Sequence, residues 1–263
     1  MQNVNYHSHT KRCGHADYNV LDEDYVKKYI SKGFKRIAFT DHCPEKRVID
    51  IRDNMRMKYN EMDEYLRSIN YLKEKYKNDI DILSGFEVEY LPMLEDEIWK
   101  LKQDSDMIVL GQHFIYDLDN DSLKIFRKHV FNDSDIIKYG ECIVSAIEKG
   151  IPDIIVHPDI YMINRDKMSD VDKMVARMIC EAAEEYHVLL EINLSEPYFY
   201  INGYTDRVTY PCVEFWNIVS EYKIDVLFGI DAHCLEQIDC YEDSVKYVSD
   251  LFGSELMNKL NFV

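Results

Sequence analysis

Residues 36–42 read RIAFTDH, a short apolar run that ends in a histidine, and the helix candidate DEDYVKKYISKG (22–33) stands just before it. Gly33 suits a helical C-terminal stop. The same unit recurs along the chain. Six further runs rich in Val, Ile and Phe read as strands: VNYHSH (4–9), DILSGFEVEY (81–90), MIVLGQHF (107–114), DIIVHPD (153–159), VLLEINLS (188–195) and DVLFGIDAH (225–233). Helical periodicity fills the intervals, as in DVDKMVARMICEAAEEY (170–186). Runs this apolar suit a sheet covered on both faces, and their alternation with helices argues for parallel strands. No strand is followed by a GxGxxG turn or a GxxxxGK[ST] loop, which removes the main support for nucleotide-binding open sheets. The expected fold class is α/β, a βα barrel with seven rather than eight strands.

Composition narrows the function. With 263 residues and 46% hydrophobic side chains the chain can bury a large core, and its six prolines and nine glycines form no linker, so one continuous domain over 1–263 is expected. Against 31 Lys and Arg stand 49 Asp and Glu, a net charge of −18 that repels a nucleic-acid backbone and disfavours long DNA or RNA as a partner. The N-terminal MQNVNYHSHT has no basic, apolar leader, and no run approaches the roughly 18 apolar residues of a membrane span. A cytoplasmic protein without a membrane partner is expected. The seven cysteines are scattered, odd in number and without a CxxC pair, which suits a reducing compartment.

The histidines carry the chemistry. Of nine, His7, His9, His42, His113, His157 and His233 fall at or beside the C-terminal end of a strand candidate. In parallel βα folds those ends form the active-site face, so ligands far apart in sequence converge there. Residues two apart on a strand share a face, which lets His7 and His9 reach one ion, as Asp231 and His233 can, and aligns Glu87 with Glu89. Glu87 is a carboxylate within an otherwise apolar run, where an unpaired charge costs several kcal/mol. It calls for a cation. His15, in the loop after the first strand, completes a candidate set of His7, His9, His15, His42, Glu87, His113, His157, Asp231 and His233. A lone strand-end histidine is more often a hydrogen-bonded structural residue; the joint pattern is what favours metal. Imidazole with carboxylate suits Zn²⁺, Mn²⁺ or Fe²⁺, and nine donors exceed the four of a tetrahedral zinc, so more than one ion is implied.

Six strings, HSH with the following His15, TDH (40–42), GFEVEY around Glu87, GQH (111–113), HPD (157–159) and GIDAH (229–233), span residues 7–233 in strand order. Through them the chain resembles the PHP (polymerase and histidinol phosphatase) superfamily of metal-dependent phosphoesterases. The resemblance implies a distorted (β/α)7 TIM-like barrel and three divalent ions per chain, Zn, Mn or Fe. His7, His9, Glu87 and Asp231 would hold one ion. Glu87 would bridge to a second, held also by His113 and His157, and His15, His42 and His233 would hold the third. Every position carries a competent donor, as in an active copy rather than a scaffold.

The stand-alone length, EVEY (87–90) and the order EIN…YP (191–211) resemble the histidinol-phosphatase branch. The reaction implied is hydrolysis of L-histidinol phosphate to L-histidinol and phosphate, in histidine biosynthesis. The alternative is hydrolysis of other small phosphate esters such as nucleotide phosphates. In-line attack by a hydroxide bridging the ions that share Glu87 is the expected mechanism, with Glu87, Asp231 and His233 as the catalytic residues. Gln112 and Ile230 depart from the family pattern, which more often has Val and a small residue there.

Five residues are candidates for binding the small phosphorylated substrate. Arg165 and Arg207 offer the planar fork that matches phosphate. Glu89 could pair with a substrate amine or orient a ligand histidine. Asn193 shares a face with Glu191, and Tyr204 belongs to the aromatic group EPYFYINGYTDRVTY, suited to stacking on an imidazole or to packing in a dimer. Monomer and homodimer both stay open. Asp17 and Glu45 are candidate donors to the leaving group. Cys13, Cys43 and Cys234 lie near candidate ligands without an assigned role, and His129 and His187 read as ordinary polar residues.

Overall fold

The computed structural model describes residues 2–44, 56–117, 122–127 and 129–263. Glu45, one candidate proton donor, lies outside them. The strands are β1 (Val4–Asn5), β2 (Arg36–His42), β3 (Asp81–Val88), β4 (Met107–Leu110), β5 (Phe114–Asp117), β6 (Ser122–Ile125), β7 (Ile154–Ile155), β8 (Leu189–Asn193), β9 (Asp225–Gly229) and β10 (Asn261–Phe262). The α-helices are α1 (Asp22–Ser31), α2 (Met62–Lys75), α3 (Glu95–Asp104), α4 (Asp133–Glu148), α5 (Asp170–Tyr186), α6 (Ser195–Ile201), α7 (Val213–Val219), α8 (Leu235–Asp239) and α9 (Tyr241–Lys259). None is long and apolar enough to cross a membrane.

All seven expected strands form, but the parallel sheet runs β1-β2-β3-β4-β7-β8-β9-β10 and so has eight members rather than seven. The extra strand, β10, is two residues long, too short to show as a period in sequence. Its pairing explains the distortion of the barrel. Just past their C-terminal ends β1 and β9 meet, through a bridge between Ser8 and Ala232 and a 2.8 Å bond from His9 N to Ala232 O. Lower down they part. There β10 pairs with the edge of β9, and the Gln2 amide bonds Phe228 N and O at 2.9 and 2.7 Å, so the edge groups of β9 are satisfied without β1. A second unforeseen element is the antiparallel hairpin β5–β6, outside the main sheet.

Alternation along the strands separates two apolar layers. Ile37, Phe39, Ile82, Phe86, Ile108, Leu110, Leu190, Ile192, Val226 and Phe228 pack outward with Tyr25, Tyr65, Ile143, Ile179 and Trp216 of the helices. Each such burial is worth about 1.5–3 kcal/mol. The intervening residues Ala38, Met107, Val109, Ile154, Val156 and Leu227 form a separate cluster inside the barrel. That inner cluster is the floor of the site. Helix ends follow the local sequence: Gly33 at φ 82° stops α1, and the Ser169 hydroxyl caps α5 by accepting from Asp172 N.

Candidate metal centre

The inward face of each strand changes from apolar to polar toward its C-terminal end. Ala38 gives way to Thr40 and His42 on β2, Leu83 to Gly85 and Glu87 on β3, and Leu189 to Glu191 and Asn193 on β8. Register aligns these changes, for His42 pairs with Glu87 across β2 and β3. His157 and Asp231 lie just past their strands with φ of 35° and 54°, a left-handed turn that re-aims both side chains and is uncommon for residues other than glycine.

Glu87 is the centre, 1% exposed. Its Oε1 lies 3.0 Å from His157 Nε2 and 3.7 Å from His113 Nε2. Its Oε2 lies 3.2 Å from His42 Nδ1, 3.3 Å from His7 Nε2 and 3.4 Å from His9 Nε2. Asp231 Oδ1 approaches His9 Nε2 at 3.1 Å and both His7 Nε2 and His233 Nδ1 at 3.4 Å. His9 stacks on His42 and His233 with ring centroids 4.7 and 4.1 Å apart, and His15 lies 4.4 Å from His233. The structure therefore gathers all nine expected donors into one cluster.

Four of the nitrogens facing away from Glu87 have partners of their own. His7 Nδ1 lies 2.9 Å from Glu191 Oε2, and His113 Nδ1 lies 2.8 Å from Glu89 Oε1. His15 Nδ1 donates to Cys13 O at 3.1 Å and His233 Nδ1 to Asp231 O at 2.9 Å. Those protons leave Nε2 of each ring as a free lone pair.

Charge follows the same layout. Burial pushes the Glu87 carboxyl up, but His42 and His7 hold it well below the usual carboxylate range. Asp231 is held low in the same way by His7 and His233, against its burial. Burial lowers His7, yet Glu191, Asp231 and Glu87 reverse this and raise it well above its ordinary value. Burial lowers His9, lowers His42 further, and with the neighbouring His9 brings His233 down to about 4. Ionised carboxylates beside the lowered His9, His42 and His233 are the state that metal binding requires, and the raised His7 would have to release its second proton to join them.

The residues fit divalent ions by an observation independent of charge. Both nitrogens of His9, Nδ1 of His157 and Nε2 of His233 are buried without a hydrogen-bond partner. Such groups are expensive unless something occupies their lone pairs. Ligand atoms of His7, His9 and Glu87, of His7, His157 and Asp231, and of His9, His42 and His233 lie within 4.8 Å of one another in each trio. His9 thus adjoins both the first and the third expected ion positions. Cys13 forms a further trio with His15 and His233.

The five expected substrate residues are placed differently. Glu89 accepts from the His113 backbone N at 2.7 Å and contacts its ring Nδ1 at 2.8 Å, with Arg56 Nη2 3.8 Å from the same carboxylate, so it is placed to orient a ligand histidine. Asn193 is wholly buried; its Nδ2 donates to Glu191 Oε1 at 2.8 Å and its Oδ1 accepts from Ser195 N at 2.9 Å, which leaves no amide group for substrate. Arg165 pairs with the buried Asp172 at 2.9 Å and Arg207 pairs on the surface with Asp166 at 3.1 Å, both acids outside the cluster. Tyr204 is 69% exposed and packs on Tyr198 and Phe199.

Other residues find ordinary roles. Gln112 is a brace, accepting from Tyr90 N and donating to Phe114 O, and Ile230 lies in the outer core. Asp17 N donates to His233 O at 2.7 Å, which sets that residue beside the centre. His187 caps α5 and His129 bonds Ile125. Cys13, Cys142, Cys180, Cys212, Cys234 and Cys240 are free thiols. Glu191 is the functional residue that the sequence reading left without a role, although a carboxylate inside an apolar strand is the same signal that singled out Glu87.

A family model described as the PHP domain matches residues 5–195. The histidinol-phosphatase of Bacillus subtilis is 26% identical, over 89% of this chain and 94% of its own length. A probable histidinol-phosphatase of Deinococcus radiodurans is 24% identical, over 94% and 93%. Among solved structures, a putative histidinol phosphatase of Listeria monocytogenes superposes with a TM-score of 0.76 at 20% identity, covering 89% of this chain and 97% of that one. The histidinol phosphate phosphatase of Lactococcus lactis, solved with zinc, L-histidinol and phosphate, gives a TM-score of 0.66 at 18% identity, covering 94% and 93%.

Proposed function

Because this chain belongs to the PHP domain family, we propose that it is a metal-dependent phosphoric monoester hydrolase acting on L-histidinol phosphate, with residues 1–263 as one catalytic unit. The observation that carries the reading is the convergence on Glu87 of donors from separate strands, several with unpartnered buried nitrogens. Near-full-length relatives named histidinol-phosphatase support the substrate. The free thiols of Cys13, Cys142, Cys180, Cys212, Cys234 and Cys240 suit a reducing, cytoplasmic setting, and a monomer or homodimer is proposed.

Three ions are the proposed number. His7, His9, Glu87 and Asp231 would hold one, Glu87 with His113 and His157 a second, and His15, His42 and His233 the third. When bound, divalent ions supply a water of lowered pKa and positive charge for the phosphoryl oxygens. The chain's residues supply the rest. Glu87 turns its two oxygens toward two different groups of histidines, the disposition a bridging carboxylate needs. His15, His113 and His233 are the more exposed rings, so substrate enters on their side while the apolar floor excludes water from below. Asp17, whose backbone N donates to His233 O, is the described candidate to give a proton to the leaving alkoxide.

The test is phosphate release from a panel of monoesters, with metal content measured on the same sample. A strong preference for histidinol phosphate supports the proposal. Equal rates across the panel would replace it with a broader phosphoesterase.

A further inference from the structure

We propose that Glu191 is the positioning residue that keeps the proton of His7 on Nδ1 and so presents Nε2 to the ion held with Glu87 and Asp231; this rests on the metal-centre reading above. The His7 ring, fully buried, lies between carboxylates on both sides. On one side the two oxygens of Glu191 lie 2.9 and 3.1 Å from Nδ1. On the other, Glu87 Oε2 and Asp231 Oδ1 lie 3.3 and 3.4 Å from Nε2. A ring that ligates a metal is neutral, so it has one N–H and can satisfy one side only. The shorter, two-oxygen contact takes it. Nε2 then turns its lone pair toward Glu87 Oε2 and Asp231 Oδ1, the place where one cation would be shared by all three.

Two neighbours hold Glu191 to this task. Asn193 Oδ1 accepts from Ser195 N, which fixes the amide orientation and obliges Nδ2 to donate to Glu191 Oε1. The same Nδ2 lies 3.4 Å from Asp231 Oδ2, linking the positioning carboxylate to the ligand carboxylate. Gly229, on the next strand, keeps the space: a β-carbon there would lie 2.1 Å from both Cδ and Oε2 of Glu191. Glu191 is itself 1% exposed, and a buried carboxylate without such partners would cost several kcal/mol. A carboxylate behind a ligand histidine typically changes metal affinity by about 10–100-fold.

The experiment is zinc titration of apoprotein against a competing chelator, in wild type, Glu191→Gln and Gly229→Ala, with thermal melting of each. The expected result is that both variants lose about 10–100-fold in affinity for one ion and keep the affinity of the others. Nitrogen-15 spectra of the zinc-loaded wild type supply a second readout that needs no variant, and should show His7 protonated at Nδ1 and bound through Nε2. Wild-type affinity for every ion in Glu191→Gln, an equal weakening of all ions with a lower melting point, or a His7 bound through Nδ1 would each overturn the inference. Failure of the wild type to take up zinc would instead overturn the metal-centre reading, and this inference with it.

Discussion

Gly111 and Glu87 compete for one volume: a β-carbon on Gly111 would stand 1.8 Å from Glu87 Oε1 and 2.9 Å from His157 Cε1. The glycine of GQH is therefore there for close approach between strands, since its neighbour's carboxylate fills the place of its side chain. Gly111→Ala should push Glu87 off the centre. Metal content should fall, and overpacking should cost about 1–3 kcal/mol in stability. Metal analysis and denaturant unfolding on one preparation check both, and an alanine variant with full metal content would show that Glu87 is not held where the structure has it.

Glu87→Gln keeps shape and removes charge. With one buried acid gone, His7, His42 and His157 lose the carboxylate they share. Turnover should fall by at least about 10³-fold, which corresponds to about 4 kcal/mol of barrier. Phosphate release measured together with bound metal tests this, and near-wild-type activity would sink the role given to Glu87.

Removing metal should destabilise the whole fold, because the ligands come from the two ends of the chain and close the barrel where Ser8 meets Ala232. Ligand held at a hundred times its dissociation constant stabilises by about 2.7 kcal/mol per site, or roughly 5–10 °C in melting temperature for a chain of this size. Chelation should lower the melting temperature by at least that amount, and zinc or manganese should restore it. A melting curve indifferent to chelator would contradict the proposal.

Away from the centre, Asp106 ties three elements together. It accepts from Lys73 Nζ at 2.8 Å and from Ser84 N at 2.9 Å. Burial pushes its carboxyl up, but Lys73 and Ser84 hold it below its ordinary value. A carboxyl depressed in the folded state stabilises fully above its unfolded value of about 3.9 and loses that contribution as pH falls through the folded value. Asp106→Asn should then cost about 1 kcal/mol at neutral pH and progressively less in acid. Urea midpoints across that range test the sign; a gap that widens on acidification would refute it.

Much of the centre was readable from the sequence for a physical reason. Histidines and carboxylates are costly in runs like RIAFTDH and DILSGFEVEY unless something uses them, so their positions mark the inward strand ends. Partners are another matter. Glu191 meets His7 across 184 positions of sequence, and nothing local distinguishes an acid that holds a ligand from one that is a ligand. The same limit hid the engagement of Asn193. It also hid β10, because two residues are too few for a period and their pairing depends on where the barrel opens.

Arg165 and Arg207 show that limit most sharply, and their variants should behave oppositely. As sequence, both are loop arginines suited to phosphate. In the structure Arg165 neutralises Asp172, a carboxylate with no exposed side chain at the start of α5. Arg207 meets Asp166, whose side chain is 93% exposed. Arg165→Ala leaves a buried charge unpaired and should destabilise by about 3–5 kcal/mol. Arg207→Ala removes a solvated pair, worth less than about 1 kcal/mol. Neither should raise KM for histidinol phosphate while the protein remains folded. Steady-state kinetics with denaturant unfolding separate the cases: a raised KM at unchanged stability would return that arginine to the phosphate, whereas lost stability at unchanged KM confirms Arg165 as a brace of α5.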